Sequence, residues 1–364
     1  MTLPWRKLGL MVGAIVLVLC AAELGLRQFL PQPGYDYPRG YFVREERCGY
    51  VLAPGAWGRI GPREASYDGA VSSLGLRNAE LGAKQGTRPR VLVIGDSCVY
   101  GSGVEPQETF VARLNCLSPE LEFVNAGVPG YNTRQEAQFL ARLTPQLGPD
   151  VCLLVFFEGN DILGNLRVNP DAVVRGVLWA GKPESNEGWF DGLAFETRFL
   201  LEQLHLYRLV RRVPEAVLGV EPQFSGLYAT DLHPQRSEIM ARAWECSAAA
   251  LDQVRMHCEQ ARMALLLATL PAMAQVDPRQ CAARRPAASV AASPQDMDWP
   301  GLYLGQWAAQ HDIPFCDLRA DLRAAVARGE NLFLGRDLHY NARGHEVQAR
   351  ALARFVRAAL AHHD

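Results

Sequence analysis

Apolar residues in this chain gather in short unbroken runs instead of alternating with polar ones. Val91-Leu92-Val93-Ile94, Leu121-Glu122-Phe123-Val124 and Val151-Cys152-Leu153-Leu154-Val155-Phe156-Phe157 each end on small or polar residues, and Ala261 to Leu270 and Ile313 to Asp317 repeat the pattern. Runs of this length bounded by turn residues predict strands covered on both faces. Between them the period changes. Phe110, Leu114 and Leu117, then Ala137, Leu140, Ala141 and Leu143, then a stretch around Ile239 to Cys258, read as helices. Glu346 to Leu360 closes the chain with Val347, Ala351, Leu352, Phe355, Val356 and Leu360 on one helical face. Alternating strands and helices joined by right-handed crossovers bring the carboxyl ends of the strands to one rim. The pattern predicts an α/β fold around a central, mostly parallel five-stranded sheet.

The residues at that rim carry candidate chemistry. The first run ends on Gly95-Asp96-Ser97, the second leads into Asn125-Ala126-Gly127-Val128-Pro129-Gly130, and the third into Gly159-Asn160-Asp161. Gly, Asp and Ser are common turn residues for local reasons alone. A serine on a tight turn after a buried strand can also present its hydroxyl at the sheet edge, beside the N–H groups of a helix start. Such a hydroxyl needs a base. Of the eight histidines, His205, His257 and His311 lie in helical segments and His362 and His363 in the polar terminus. Asp-Leu-His occurs twice, at Asp231-Leu232-His233 and Asp337-Leu338-His339. The second follows the last predicted strand and directly precedes the closing helix, which makes His339 the preferred base.

Taken in order, these four segments resemble the blocks of the SGNH/GDSL hydrolase family over roughly residues 74 to 360. The resemblance implies a flavodoxin-like three-layer α/β/α sandwich. It also implies Ser97 as nucleophile, with an oxyanion hole made by the Ser97 N–H, the Gly130 N–H and the Asn160 side-chain amide, and Gly127 as the alternative to Gly130. Asp337 would orient His339. The commoner family spacing is Asp-x-x-His, and Asp337 to His345 is similar to the variant Asp-x-His-x-Asn-x-x-Gly-His of membrane-anchored members and of polysaccharide O-acetyltransferases. His345 is the competing base, or else a structural residue opening the last helix. Ser73-Leu74-Gly75-Leu76-Arg77-Asn78 resembles a segment that precedes the nucleophile strand in anchored members, where a structural strap is expected. The implied function is a serine esterase removing O-acyl groups from an extracytoplasmic lipid or polysaccharide. Acetyl transfer to an exported polysaccharide, and a non-catalytic carbohydrate-binding or assembly role on the same scaffold, are the alternatives.

Composition narrows the picture. With 364 residues, 49% of them hydrophobic, the chain can bury one large core. A formal net charge of −2 gives no electrostatic footprint for nucleic acid. No Gly-rich phosphate loop, Cys-x-x-Cys pair or His-Glu-x-x-His occurs, so no cofactor or metal is expected. Trp5-Arg6-Lys7 precedes an apolar run from Leu8 to Ala22, followed by Glu23. That charge order predicts a signal anchor over residues 1–30 with the rest of the chain exported, and cleavage near Ala22 is the alternative. An irregular lead-in is expected over 31–88 and the hydrolase-like domain over 89–364. A cap inserted at about 162–236 would shape the acyl or glycan pocket, and Ala272 to Pro300 reads as a second irregular rim stretch. Nine cysteines are few for this length, and an even subset could pair in an oxidising compartment.

Overall fold

The apolar runs are the strands of one sheet, and both of its faces are buried. In a computed structural model the described residues are 5–30, 32, 37–61, 66–82, 84, 88–167, 172–174, 176–179, 189–210, 232–284, 294–335 and 339–361. Among them β1 (Arg90–Gly95), β2 (Glu122–Gly127), β3 (Val151–Phe157), β4 (Ala264–Leu270) and β5 (Phe315–Asp317) pair in the spatial order β5-β4-β3-β1-β2. Every pairing in this sheet is parallel, with Val91 opposite Val151, Gly95 opposite Gly127, Leu270 opposite Phe157 and Asp317 opposite Thr269. This is the flavodoxin-like order, whose direction reverses between β1 and β3.

Successive residues of a strand face opposite sides, so a run apolar at every position must be covered twice. Leu92, Ile94, Leu154 and Phe156 belong to one core with α4 (Thr133–Leu147) and α6 (Glu238–Ala261). Val91, Val93, Leu153 and Val155 belong to another with α3 (Phe110–Leu117), α7 (Arg319–Ala327) and α8 (Ala342–Ala361). Sequence patterning placed β3 at its observed limits, and the positions Phe110, Leu114 and Leu117 fall within α3.

Two segments differ from expectation. Within Ala272 to Pro300, helices form at Met273–Val276, Pro278–Arg284 and Pro294–Gln310. Prolines that read as breakers stand at the first position of two of these helices, where a missing N–H is harmless. The lead-in, expected to be ordered but irregular, holds regular structure: Phe42–Glu45 and Gly49–Leu52 form an antiparallel hairpin whose Phe42, Tyr50 and Leu52 are buried in the first core. All nine cysteines are free thiols.

The described residues of Met1–Asp36, Gly61–Glu64 and Ser185–Gln223 form a separate compact unit. It contains α1 (Trp5–Phe29), long and apolar enough to cross a membrane, and α5 (Trp189–Glu202). The expected cap therefore divides. Its Ala172–Val174 and Val177–Trp179 strands form a hairpin, and the Gly176 carbonyl accepts the Gly40 N–H at 2.6 Å. Residues 189–210 instead join the unit of α1.

Candidate active site

β1 ends where a side chain would not fit: a Cβ on Gly95 would lie 2.3 Å from Val99 Cγ2. The chain then turns directly into α2 (Ser97–Tyr100), with Asp96 as its N-cap. Asp96 Oδ1 accepts the Cys98 N–H at 2.8 Å, satisfying one of the donors a helix start leaves open. Ser97 occupies the first helical position, where its own N–H has no intrahelical acceptor.

The structure brings His339 to this serine. Ser97 Oγ and His339 Nε2 are 2.7 Å apart across a separation of 242 residues. The loop carrying His339 is held from several sides. Phe333 and Tyr340 form an antiparallel bridge, the Leu334 N–H donates to the His339 carbonyl at 3.0 Å, and Tyr340 Oη donates to the Pro271 carbonyl at 2.5 Å. Asn341 then caps α8, accepting the Arg343 and Gly344 N–H groups. The competing histidine lies elsewhere. His345 is buried in the first turn of α8, stacked on Phe110, with Nδ1 accepting the Phe110 N–H at 3.2 Å. Burial, helped by the positive charges of Arg77 and Arg113, pulls its imidazole down to about 3, so it stays neutral. His233 of the first Asp-Leu-His packs against Trp299. Asp337 lies outside the described residues.

Asn160 arrives from the end of β3. Its Nδ2 donates to Asp96 Oδ2 at 2.7 Å, so the same carboxylate holds both the start of α2 and the asparagine amide. β1 and β3 flank the topological switch point, so Ser97 and Asn160 meet where ligands of such sheets bind. Of the two candidate glycines, Gly127 is the last residue of β2, donates its N–H to Asn125 Oδ1 at 3.0 Å and packs its missing Cβ against the backbone of Val99 and Tyr100. Gly130 is exposed, with φ +83, in a turn closed by the Tyr131 N–H on the Val128 carbonyl. Tyr50 of the lead-in hairpin steadies this turn by donating to the Pro129 carbonyl at 2.8 Å.

The Ser73–Asn78 segment has a visible role. Arg77 is buried and donates to the carbonyls of Tyr100, Gly101, Val104 and Asp68, at distances from 2.6 to 2.9 Å. It thereby satisfies carbonyls left open where α2 ends. Asn78 pairs with the Asn125 backbone through both amide atoms, covering the outer edge of β2.

Several buried acids frame the site. Asp96 is fully buried, and burial raises its carboxyl above the ordinary range against the opposing pull of the Cys98 N–H, His339 and Asn160. Glu136 on α4 and Asp161 beside Asn160 are pushed well up, first by burial and then by neighbouring carboxylates. Both Glu136 oxygens lack a hydrogen-bond partner, which suits a neutral acid. Glu158, two residues before Asn160, accepts bonds from Arg319 Nη2 at 2.6 Å to each oxygen and from Thr269 and Gln275. Burial raises it to about 7 even so, with Arg319 pulling the other way. Among the described residues no three His, Cys, Asp or Glu side chains group as metal ligands.

Sequence reasoning named Ser97, Asn160 and His339, which the fold gathers. It assigned no role to Asp96, although an acid directly before a helix-starting serine is an N-cap signal. The Glu158–Arg319 pair gave no signal, because its partners meet only through the tertiary fold.

No curated protein matches the chain by sequence. Solved structures with overall similarity include a GDSL-like lipase from Bacteroides thetaiotaomicron, at 10% identity and TM-score 0.41 over 77% of this chain and 93% of that one. An acetylxylan esterase from Geobacillus stearothermophilus, crystallised as a catalytic mutant, has 16% identity and TM-score 0.41 over 75% and 96%. A member of the lipolytic G-D-S-L family from Veillonella parvula has 15% identity and TM-score 0.38 over 74% and 98%. The decisive match is in sequence, where the profile of the GDSL-like lipase/acylhydrolase family covers residues 93–347, from within β1 to within α8. The chain belongs to the GDSL-like lipase/acylhydrolase family and is a carboxylic ester hydrolase.

Proposed function

We propose that this hydrolase removes O-acyl groups from a lipid or polysaccharide ester outside the cytoplasm, through an acyl-enzyme on Ser97, while α1 holds it at the membrane. The observation that carries the reading is the 2.7 Å contact between Ser97 Oγ and His339 Nε2 at the switch point of the sheet. His339 takes the serine proton as Oγ attacks the ester carbonyl, then gives it to the leaving alcohol. Water, activated by the same imidazole, releases the acid. Asp337 orients His339 and stabilises its imidazolium.

The tetrahedral oxyanion meets the Ser97 N–H, the Gly130 N–H and the Asn160 amide. An amide NH₂ carries two hydrogens, so Asn160 can keep one on Asp96 and offer the other. Loss of one such donor typically lowers turnover by about 10²–10³. The order of charges around α1, with Arg6 and Lys7 before the apolar run and Glu23 after it, supports export.

The test is release of p-nitrophenol from acetate and butyrate esters by the full chain, compared with Ser97→Ala, His339→Ala and Asn160→Ala. Loss of turnover in all three with unchanged melting is expected. Full activity of Ser97→Ala would overturn the mechanism. Acetyl appearing on an oligosaccharide acceptor, with little loss to water, would overturn hydrolysis as the physiological outcome.

A further inference from the structure

Glu23 stands one residue beyond the apolar run of α1, and it is engaged. Its carboxylate accepts the N–H groups of His205 at 3.0 Å and Leu206 at 2.8 Å, where a short helix over residues 205–210 begins. Arg27, one turn further on, pairs with Glu23 at 2.7 Å and donates to the Gln203 carbonyl at 3.2 Å. The Gln32 N–H donates to His205 Nδ1 at 2.8 Å. Coverage along α1 follows these bonds: Ala22, Glu23, Gly25 and Leu26 are partly covered, while Gly9 through Ala21 are all exposed. The segment 203–206 therefore docks on α1 just where its apolar run ends.

The same unit leaves an apolar surface at that level. Leu200 is 64% exposed and Val210 58%, with Leu201 and Leu204 exposed near them in sequence, and Leu24 and Phe29 of α1 and Leu30 just beyond it are exposed as well. Arg27, Arg198 and Arg208 are interspersed, Arg27 paired with Glu23 and Arg198 with Glu202 at 3.5 Å. Exposed apolar side chains among long cationic ones match the boundary between headgroups and acyl chains, where leucine enters and arginine extends outward. Continuity with the part of α1 before Glu23, Trp5 to Ala22, about 27 Å long against about 30 Å of hydrocarbon, points to lipid as the occupant.

We propose that residues 196–210 lie on the bilayer surface where α1 emerges, held to α1 by Glu23 and Arg27, and that their partner is phospholipid. The inference rests on α1 being a retained membrane span, and it gives this part of the insertion a membrane-contacting role.

The experiment places an environment-sensitive fluorescent amino acid at Leu200, Leu204 or Val16 of the full chain, leaving the native cysteines untouched. Each protein is reconstituted into vesicles of equal phosphatidylcholine and phosphatidylglycerol. Spin-labelled lipids are then used as quenchers, with the label either near the headgroup or near the tail end. The expected result is blue-shifted emission at Leu200 and Leu204, quenched most by the shallow label, and Val16 quenched most by the deep one. Quenching of Leu200 and Leu204 by aqueous iodide alone, with Val16 still reached by the deep label, would overturn the surface contact and leave the anchor standing. Val16 beyond reach of both lipid labels would overturn the anchor and this inference with it.

Discussion

Replacing Arg319 with methionine isolates the electrostatics beneath the rim. In the native protein Glu158 is buried, and its carboxyl titrates at about 7 against an ordinary 4.5. Between those values the unfolded chain ionises while the folded one stays protonated, so stability falls as pH rises; above 7 both are charged and the dependence stops. Without Arg319 the largest downward pull is gone, Glu158 titrates higher, and the fall continues. The gap between native and Arg319→Met should be set at pH 6 by lost hydrogen bonds, about 1–3 kcal/mol. It should then widen by about 1.4 kcal/mol per pH unit above 7, reaching about 3 kcal/mol more at pH 9. The sum at pH 9, about 4–6 kcal/mol, overlaps the upper part of the roughly 3–5 kcal/mol typical of a buried pair broken on one side. Urea unfolding at pH 6 and pH 9 measures both points, and Glu158→Gln combined with Arg319→Met should remove the widening. An equal gap at the two pH values would refute the reasoning.

Other substitutions probe the remaining parts. Asp96→Asn keeps the N-cap, since asparagine caps as well as aspartate, but sets an NH₂ against Asn160. Turnover should fall by about 10², as for a lost oxyanion donor, with little change in melting. The acid limb of its pH–rate profile should move to lower pH because the imidazolium of His339 loses a neighbouring negative charge; full activity would show that Asn160 is aimed without Asp96. Gly127→Ala sets a Cβ 2.1 Å from the Tyr100 nitrogen and 2.6 Å from the Val99 carbonyl carbon. It should cost about 1–3 kcal/mol or more and lower turnover by displacing α2, and unchanged melting and turnover would contradict the close packing. Burial pushes the Glu136 carboxyl well up, so the native protein loses stability as pH rises above the ordinary carboxylate range, and Glu136→Gln should gain on it there by up to about 1.4 kcal/mol per pH unit. Parallel stability curves would mean that Glu136 is not held neutral.

Legibility in the sequence tracked how local the cause was. β3 was readable to the residue because each of its positions is buried. β2 runs on through Asn125 to Gly127, although those residues read as the turn beyond it. Asn125 lies inside the sheet because Asn78 satisfies its outer edge and its own Oδ1 holds the Gly127 N–H. Ser97, Asn160 and His339 could be found because each stands beside a recognisable strand or helix boundary. Arg319 and Glu158 each look like ordinary charged residues after an apolar run, and only the order β5-β4-β3 brings them together. The partner of residues 189–210 was equally hidden, since its hydrogen bonds reach back more than 170 residues to Glu23.

The distribution of charge among the buried acids explains why Asp96 occupies the centre of the site. An anion in a medium of low polarity needs donors, and the three acids that influence one another have them unequally. Glu136 has none, and Asp161 has the Phe157 N–H on one oxygen while the other is unpartnered. Asp96 has Asn160 and the Cys98 N–H, with the Ser97 hydroxyl at 3.5 Å. Asp96 is therefore the best placed of the three to hold negative charge, while burial and the neighbouring carboxylates push Glu136 and Asp161 well up. A charge in that position holds the asparagine amide and the first turn of α2 in one frame. It also lies close enough to His339 for the two to influence each other, so in the proposed mechanism it would favour the imidazolium formed on attack by Ser97. Burial makes the charge costly, yet the same low polarity makes its pull on His339 and Asn160 stronger than water would allow. The fold thus spends stability at one carboxylate to fix two parts of the proposed catalytic machinery, and the upward shift of Glu136 and Asp161 is what keeps that arrangement tolerable.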